Sequence, residues 1–522
     1  MRDPHEDGAA RRSSGAAEPS EQNSTLGVAD NRLPELAAQA ASLVTEYLTE
    51  LRNFPIFPPV SASEVASLLR SPLPREGEPP ERVIAECRAI INNSRHNGHP
   101  RFFGYVASPA APAGALADFI ASALNQNVTS WRSAPAATEV ERTVVRWLGS
   151  LIGYGDDTHG LLTSGGSMAN LTALFAACRT KLRASAPSRR GLWNMGAPAT
   201  VYVSDQAHHS IAKAADVLGL GREQVRVVRT DEQFHMDVRN LREQIESDTR
   251  NGLRPFCIVA SAGTVNTGAV DPLAGVGHVA REHALWFHID GAYGAPAALD
   301  SNKRHLFSGI ETADSVSLDP HKWLYAPLGC GCLLFRDPAK VRAAWSVEEA
   351  DYIKVYEETE DEAFAFWDYG TELSRPFRAL KVWMILRCYG AQGLAAAISE
   401  NNALAEYFAA CVRQAEDFEL LAPVELSICC FRYAPAEIRA ALSLARDEQE
   451  RASLGARLDE INMRLMHVVQ RGGRAYVSNA VLRGRFTLRA CIVNFRTKRE
   501  DIDATLEIIR EEGRTQLAEQ QN

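Results

Sequence analysis

Lys322 is the first residue of this sequence whose setting suggests chemistry. It lies in the stretch Asp319-Pro320-His321-Lys322-Trp323, just after a β-like run and before further apolar residues. A desolvated lysine has a lowered pKa and a free lone pair, so it can form a Schiff base with a carbonyl. A lysine in a loop is more often simply exposed to solvent. The segments that precede Lys322 favour the chemical interpretation.

A glycine-rich turn upstream could bind a phosphate. Thr163-Ser164-Gly165-Gly166-Ser167 precedes a helical run that extends from Met168 to Cys178. The free N–H groups and the positive end of the dipole at a helix N-terminus suit an anion. A plain turn with a serine N-cap would have the same sequence. The segment has neither a Walker lysine nor a GxGxxG pattern, which argues against a nucleotide site.

Two further residues follow predicted strands. His208, in Ser204-Asp205-Gln206-Ala207-His208, could stack on a flat ring in the crevice at the strand ends. Asp290 ends another strand and could pair with a protonated ring nitrogen, and the small Ala292 would let a ring lie close. The alternatives are a structural loop histidine and a helix N-cap. Phosphate cradle, imidazole, acid and lysine together are the set that pyridoxal phosphate requires.

The elements that must position these residues alternate between strand-like and helical segments. This alternation predicts βαβ units around a mostly parallel sheet, an α/β fold. Six short apolar or β-branched runs are the predicted strands: Thr200–Ser204, Val225–Val228, Cys257–Ser261, Trp286–Ile289, Ser315–Leu318 and Cys332–Phe335.

Four regions are expected along the chain. Residues 1–27 contain almost no large apolar residue, which predicts a disordered tail. Residues 28–110 form an N-terminal helical segment, in which Ser61 and Glu64 have capping-box spacing. Residues 111–390 form the large α/β domain, whose last helix ends at Gly390. Residues 391–522 form a small α+β domain.

Composition excludes several classes of function. The 522 residues carry a net charge of −9, which argues against a nucleic-acid partner. The ten cysteines form no CxxC pair, so we expect no metal site and no disulfide framework. No apolar run approaches the ~18 residues of a membrane span, and the N-terminus has no apolar signal segment. We expect no membrane partner and a cytoplasmic protein.

The motifs, in this order, resemble those of the pyridoxal-phosphate-dependent group II amino acid decarboxylases of fold type I. Asp319-Pro320-His321-Lys322 is similar to the family's Asn/Asp-Pro-His-Lys motif, and His288-Ile289-Asp290-Gly291-Ala292-Tyr293 is similar to its His-Val-Asp-Ala-Ala-Tyr motif. Ser204-Asp205-Gln206-Ala207-His208 matches closely. The resemblance runs from about His99 to the C-terminus and is weaker from Leu33.

The resemblance implies a mostly parallel seven-stranded sheet flanked by helices, and a role for each motif residue. Lys322 would form the Schiff base with the cofactor, His208 would stack on its ring, and Asp290 would bind its ring nitrogen. The other cofactor-binding residues would be Gly165, Gly166, Ser167, Thr264, Ala292, Asp319 and His321.

The family's activity and assembly are implied as well. Its members convert an L-amino acid to an amine and CO₂. They are homodimers with active sites at the interface, over which an N-terminal segment of the partner wraps. Intact Lys322, Asp290 and His208 argue against a non-catalytic scaffold, while an aminotransferase stays an alternative in principle.

One departure from the family pattern concerns the proton donor. Counting back from Arg375-Pro376-Phe377-Arg378, Phe366 takes the place of a loop tyrosine that protonates the carbanion left when CO₂ departs. A phenyl ring cannot donate a proton. In plant relatives phenylalanine there accompanies oxygen-dependent conversion to an aldehyde, which is the alternative function. Other candidate donors are Tyr352, Tyr356, His209 and Tyr369.

A second departure concerns the substrate pocket. Tyr105 is retained and Ser108 aligns with a substrate-contacting threonine. Positions that are large and apolar in aromatic decarboxylases hold Asn97, Val106, Asn127 and Thr129, which predicts a polar or smaller substrate side chain. Arg489 resembles the small-domain arginine that binds an α-carboxylate in many fold-type-I enzymes. A decarboxylase must hold that carboxylate loosely, so we expect Arg489 to be structural.

Overall fold

The protein divides into two compact units. The computed structural model describes residues 32–182, 196–346, 359 and 361–521, so the tail predicted over residues 1–27 lies outside the described residues. The described part of one unit is residues 32–51 and 60–94, and the other comprises residues 52–59 and 95 onwards.

The smaller unit consists of helices α1 (Leu33–Thr49), α2 (Ala62–Leu69) and α3 (Pro80–Asn92). The predicted capping box is present at α2, because the Ser61 hydroxyl accepts from the Glu64 N–H and the Glu64 carboxylate accepts from the Ser61 N–H. α1 and α3 contact each other, and an exposed ion pair joins Glu46 on α1 to Arg88 on α3.

The larger unit contains two sheets. Its elements are, in chain order, β1 (Phe102–Phe103), α4 (Pro112–Leu124), α5 (Pro135–Leu151), β2 (His159–Thr163), α6 (Gly166–Leu182), β3 (Ala199–Ser204), α7 (Ser210–Val217), β4 (Val225–Val228), α8 (Val238–Arg250), β5 (Arg254–Ser261), α9 (Leu273–Glu282), β6 (Trp286–Asp290), β7 (Ser315–Leu318), β8 (Gly331–Phe335), α10 (Pro338–Trp345), α11 (Ala379–Gln414), β9 (Phe418–Leu420), β10 (Ile428–Tyr433), α12 (Ala436–Leu444), α13 (Glu448–Arg471), β11 (Tyr476–Leu482), β12 (Arg485–Cys491) and α14 (Arg499–Gln521).

The large sheet has seven strands in the order β2-β8-β7-β6-β5-β3-β4. Neighbouring strands are parallel except at β8, which runs antiparallel to both β2 and β7. The mostly parallel seven-stranded sheet is therefore confirmed, and all six strands predicted from the sequence are present. Every residue of β3, β6, β7 and β8 is buried, which explains why their sequences are nearly continuous apolar runs.

Helix α6 packs across the centre of this sheet. It contacts β2, β5, β6, β7 and β8, and ten of its residues are buried. Its N-terminus at Gly166 follows directly from the end of β2 at Thr163, separated only by Ser164 and Gly165. The start of α6 is therefore held at one end of the sheet.

The small sheet has the order β1-β11-β12-β10-β9 and a hydrophobic core of its own, which includes Phe408, Phe431 and Leu465. Helix α11 leads into this region and is interrupted at Gly390, whose φ of 67° and ψ of 168° are not helical. The break lies at the residue where the sequence predicts a helix end.

Candidate active site

A cavity of about 760 Å³ lies where the large-domain strands end. Its walls come from the residues that follow β2, β3, β5 and β7 and from the end of β6. Residues of β11 and β12 complete it. This volume falls within the range of about 300–1,000 Å³ that is usual for small-molecule sites. The position is also the one expected for a ligand in an open α/β sheet.

Most of the predicted site residues line this cavity. They are Tyr105, Gly165, Gly166, Ser167, His208, Thr264, Asp290, Ala292, Asp319, His321 and Lys322. The four that do not line it in this chain are Ser108, Asn127, Thr129 and Phe366.

The Lys322 ammonium forms an ion pair at the cavity wall. Its Nζ lies 2.8 Å from Oδ2 of Asp319, a carboxylate that is almost fully buried. The other oxygen of Asp319, Oδ1, is buried without a hydrogen-bond partner. His321 is close by, with Nε2 3.8 Å from Asp319 Oδ2, and burial lowers its pKa. An unsatisfied buried carboxylate oxygen beside a lysine is typical of a site that binds a polar ligand.

The glycine-rich turn packs too tightly for side chains. A Cβ on Gly166 would lie 2.9 Å from Asp319 Oδ2 and 3.0 Å from the Ala292 Cβ. A Cβ on Gly331 would lie 2.5 Å from the Gly165 Cα. Both positions therefore require glycine. The first N–H groups of α6, which lack partners within the helix, consequently line the cavity and can bind an anion.

Asp290 is oriented by three hydrogen-bond donors. Its Oδ1 accepts from the Ala292 N–H and the Ser317 hydroxyl, both at 3.2 Å. Its Oδ2 accepts from the Asn170 Nδ2 at 2.9 Å. The side chain is therefore an acidic group that can bind a protonated nitrogen in the cavity.

His208 is held with its ring at the cavity wall. Its Nδ1 lies 2.8 Å from the Ser210 hydroxyl, and its ring centre lies 4.1 Å from that of His209. Burial lowers the pKa of His208, an effect that the charge of Asp290 partly opposes. Burial therefore favours the neutral form of this imidazole.

Phe366 lies in a different environment from the one its alignment suggests. It is 1% exposed, its N–H donates to the Thr129 carbonyl at 2.9 Å, and its ring centre is 4.1 Å from the Arg375 guanidinium carbon. The Asn127 Oδ1 accepts from the Arg375 N–H. Phe366 and Asn127 therefore contact Arg375 inside the protein, and neither lines the cavity. Ser108 donates to the His321 carbonyl at 3.2 Å.

The candidate proton donors are distributed unevenly. The ring of His209 contacts that of His208 at a tilt of 46°, but His209 does not line the cavity. Tyr369 stacks between Phe335 and Phe364 and lines a separate cavity of about 220 Å³. Tyr352 and Tyr356 lie outside the described residues.

Several lining residues were not predicted. Asn170 lies on α6 one turn after Gly166, and Asn266, Ser478 and Asn479 also line the cavity. Arg489, which we expected to be structural, lines it too. Its Nε donates to the Asn266 carbonyl at 3.2 Å, and its Nη1 donates to the Tyr105 carbonyl and the Ser478 hydroxyl. Only the spacing of Asn170 from the glycine turn could have indicated one of these residues.

The described part of the chain has no group of three or more His, Cys, Asp or Glu side chains arranged for a metal ion. No helix in the described ranges is long and apolar enough to cross a membrane.

The cavity residues fit pyridoxal phosphate (PLP). The start of α6 at Gly166 suits the phosphate, Asp290 suits the ring nitrogen, and Lys322 suits the aldehyde. The unpartnered Asp319 Oδ1 gives the same indication, because it marks a buried polar group that the chain alone does not satisfy.

Comparison with known proteins agrees with this fit. Residues 63–434 match the pyridoxal-dependent decarboxylase conserved domain. The aromatic-L-amino-acid decarboxylase of Bacillus atrophaeus is 34% identical over 91% of this chain and 94% of its own length. The phenylacetaldehyde synthase of a Rosa hybrid cultivar is 29% identical over 91% of this chain and 93% of its own.

A solved structure shares the fold. The crystal structure of Oryza sativa TDC with PLP and tryptamine superposes with a TM-score of 0.85 at 28% identity, covering 94% of this chain and 100% of that one. The chain belongs to the pyridoxal-dependent decarboxylases and is a carboxy-lyase with PLP as its cofactor.

Proposed function

We propose that the enzyme converts an L-amino acid into the corresponding amine and CO₂. The observation that carries the proposal is the convergence of Lys322, Asp290 and His208 on one cavity, with the start of α6 beside them. When bound, PLP supplies an electron sink for the pair of electrons released at the substrate α-carbon. The chain's own residues bind and orient the reactants.

Each side chain has a separate task in this proposal. Lys322 is the amine for the cofactor's aldehyde, and Asp319, at 2.8 Å, stabilises its positive charge until the lysine reacts. Asp290 holds the proton of the ring nitrogen, and His208 covers one face of the ring. Gly165, Gly166 and Ser167 bind the phosphate together with Thr264 and His321. Ala292 leaves room for the ring because its side chain is small. The same small side chain allows its close approach to Gly166.

Loss of CO₂ requires a weakly held α-carboxylate. Arg489 is the cavity arginine that could bind it, but Nε and Nη1 already donate to the Asn266 and Tyr105 carbonyls and to the Ser478 hydroxyl. These bonds hold the Arg489 side chain in place, while its buried Nη2 has no hydrogen-bond partner. A single free nitrogen holds a carboxylate less firmly than a bidentate pair does, which supports decarboxylation over a reaction that retains the carboxylate.

The substrate side chain is proposed to be polar or small. Asn127 and Thr129, on which the sequence argument rested, do not line the cavity. Asn266, Ser478 and Asn479 do, and they offer amide and hydroxyl groups on the side of the small domain. The Asn266 Nδ2 already donates to Gln206 and the Ser478 hydroxyl accepts from Arg489, so it is the polar character of this lining that favours a polar substrate side chain.

Oxidative conversion to an aldehyde is the second candidate. It would consume O₂ and water and release CO₂, ammonia and hydrogen peroxide together with the aldehyde. The similarity to a phenylacetaldehyde synthase favours it. Phe366 is buried and does not line the cavity of this chain, so its position gives this candidate no support.

The enzyme is further proposed to act as a homodimer in the cytoplasm. On α4, Leu116 is 59% and Phe119 65% exposed, and a second copy of the chain would cover such apolar residues. All ten cysteines are free thiols, which suits a reducing compartment. Light scattering on the purified holoenzyme measures the assembly, and a monomer at micromolar concentration would contradict it.

An amino acid panel tests the reaction. The purified holoenzyme is incubated with each standard amino acid, and CO₂, amine, aldehyde and peroxide are measured together. We expect amine and CO₂ in equal amounts without peroxide, whereas peroxide in step with CO₂ would establish the aldehyde route. Lys322→Ala should abolish both the visible absorbance of the bound cofactor and the reaction. Lys340→Ala, at a 54% exposed lysine on α10, is the matched control and should change neither.

A further inference from the structure

The side chain of Asn170 connects the two residues assigned to the cofactor ring. It is 1% exposed and lies on α6, one turn after Gly166. Its Nδ2 is 2.9 Å from Asp290 Oδ2 and 2.9 Å from the Ser210 Oγ. Its Oδ1 is 3.0 Å from His288 Nε2. All of its hydrogen-bonding groups are therefore used inside the protein.

The direction of every bond on the His288 side is fixed by chemistry. An ionised carboxylate only accepts, so the Asn170 Nδ2 donates to Asp290 and its Oδ1 must face His288. An amide oxygen also only accepts, so His288 Nε2 carries a proton. Its Nδ1 then accepts from the Ser315 hydroxyl at 2.9 Å, and that hydroxyl accepts from Trp286 Nε1 at 2.9 Å. This branch is complete and buried.

The His208 side is fixed in the same way. The Ser210 hydroxyl accepts from Asn170 and lies 2.8 Å from His208 Nδ1, to which it can donate its own proton. The Ser210 backbone N–H, 3.3 Å away, points to the same nitrogen. His208 Nδ1 thus acts as an acceptor, and the proton of the neutral ring is on Nε2.

We propose that Asn170 is a positioning residue that holds Asp290 as a charged acceptor and, through Ser210, holds His208 as the Nε2-protonated neutral imidazole. The proposal rests on the cofactor roles assigned to Asp290 and His208. No other side chain of this size offers two donors and an acceptor. An aspartate at position 170 would repel Asp290, and an alanine would leave Asp290 Oδ2, Ser210 and His288 Nε2 short of a partner.

The surrounding charges are consistent with this role. His208 is faced by Asp290, Asp319, Lys322 and His209. Burial lowers the pKa of His288 to about 4, so this ring is neutral and does not cancel the charge of Asp290. The amide of Asn170 therefore orients Asp290 without neutralising it.

The test compares two equally buried asparagines in the holoenzyme. Asn402 is the matched control, because its Nδ2 also donates to an aspartate, Asp300, at 2.9 Å but does not line the cavity. Asn170→Ala, Asn170→Asp and Asn402→Ala are compared with the unmodified enzyme by pH titration of the cofactor's visible absorbance. Cofactor dissociation constants, kcat and KM are measured on the same samples.

Asn170→Ala should shift the midpoint of the absorbance titration by about one pH unit, a tenfold change in the ratio of protonation states. It should lower kcat by about 10-fold to 100-fold with KM nearly unchanged, the scale seen when hydrogen-bond partners of active groups are removed. Asn170→Asp should weaken cofactor binding more than Asn170→Ala does. Asn402→Ala should lower only the melting temperature.

An unchanged titration midpoint and cofactor affinity in Asn170→Ala, with a loss of stability like that of Asn402→Ala, would overturn the inference. If Asn170→Ala does not fold, Ser210→Ala cuts only the branch to His208, and normal absorbance and kcat in that variant would overturn it as well. Asp290→Ala distinguishes a failure of the proposed role of Asp290 from a failure of the present inference. Normal titration in Asp290→Ala refutes the proposed role of Asp290, whereas altered titration there and normal titration in Asn170→Ala refutes the present inference alone.

Discussion

Replacing Phe366 by tyrosine should destabilise the protein and leave its product unchanged. The ring is 1% exposed and lies between the Arg375 guanidinium, 4.1 Å from its centre, and the ring of Phe364, whose centre is 4.9 Å away. The added hydroxyl would enter this packed site. A buried hydroxyl without a hydrogen-bond partner costs about 1–3 kcal/mol, and overpacking adds to that cost.

Two measurements on the same preparation check this prediction. Thermal unfolding followed by circular dichroism should give a lower melting temperature for Phe366→Tyr than for the unmodified enzyme. Amine, CO₂ and peroxide, measured with the best substrate of the panel, should keep their ratios. The ratio is the decisive quantity, because a change in stability alone alters the amount of active enzyme and not the partition between products.

Phe364→Tyr is the matched control. Phe364 is only half-buried and lines the separate cavity, so its new hydroxyl can reach water and should cost little. The reasoning would be refuted if Phe366→Tyr kept its melting temperature and raised amine while peroxide fell in proportion. That result would mean that residue 366 acts at the reacting atoms after all.

Two further predictions concern the cradle and a charged contact. Gly166→Ala should weaken PLP binding at least about tenfold, because the methyl group would lie 2.9 Å from Asp319 Oδ2; equilibrium dialysis measures this, and Gly455→Ala, with nothing within 4 Å, is the control that should bind normally. Glu425 Oε1 lies 2.5 Å from His235 Nε2, and this hydrogen bond is the main cause that raises the pKa of His235. The resulting stabilisation is complete below the ordinary pKa of about 6.5 and is lost as pH rises through the higher folded value. Glu425→Gln should flatten that part of a plot of stability against pH, and an unaltered slope in chemical denaturation would contradict the assignment.

The residues that the sequence identified correctly as lining the cavity lie next to strands with strong local patterns. His208, Asp290 and Lys322 each follow or end a buried apolar run, so their place at the strand ends could be inferred from neighbours in sequence. β2 was missed because only two of its five residues, Leu161 and Leu162, are large and apolar.

Contacts between distant segments account for the remaining differences. Asn170 reaches Asp290 across 120 residues, so its spacing from the glycine turn places it near the cavity but does not identify its partner. Phe366 was located by counting back from Arg375 through a segment without regular periodicity. Its burial depends on packing against Arg375, which the count cannot detect.

The pairing of β2 with β8 has a consequence for how the enzyme is made. Residues 159–163 find their partners only at residues 331–335, and Gly331 is the residue that packs against Gly165. A ribosome that adds about 5–20 residues per second needs roughly 10–30 s to synthesise the intervening chain. During that interval Gly331, which packs against Gly165 beside the start of α6, has not yet been synthesised. Nascent chains that end before β8 should therefore be unable to bind PLP. The enzyme would then acquire PLP late in synthesis or after release from the ribosome.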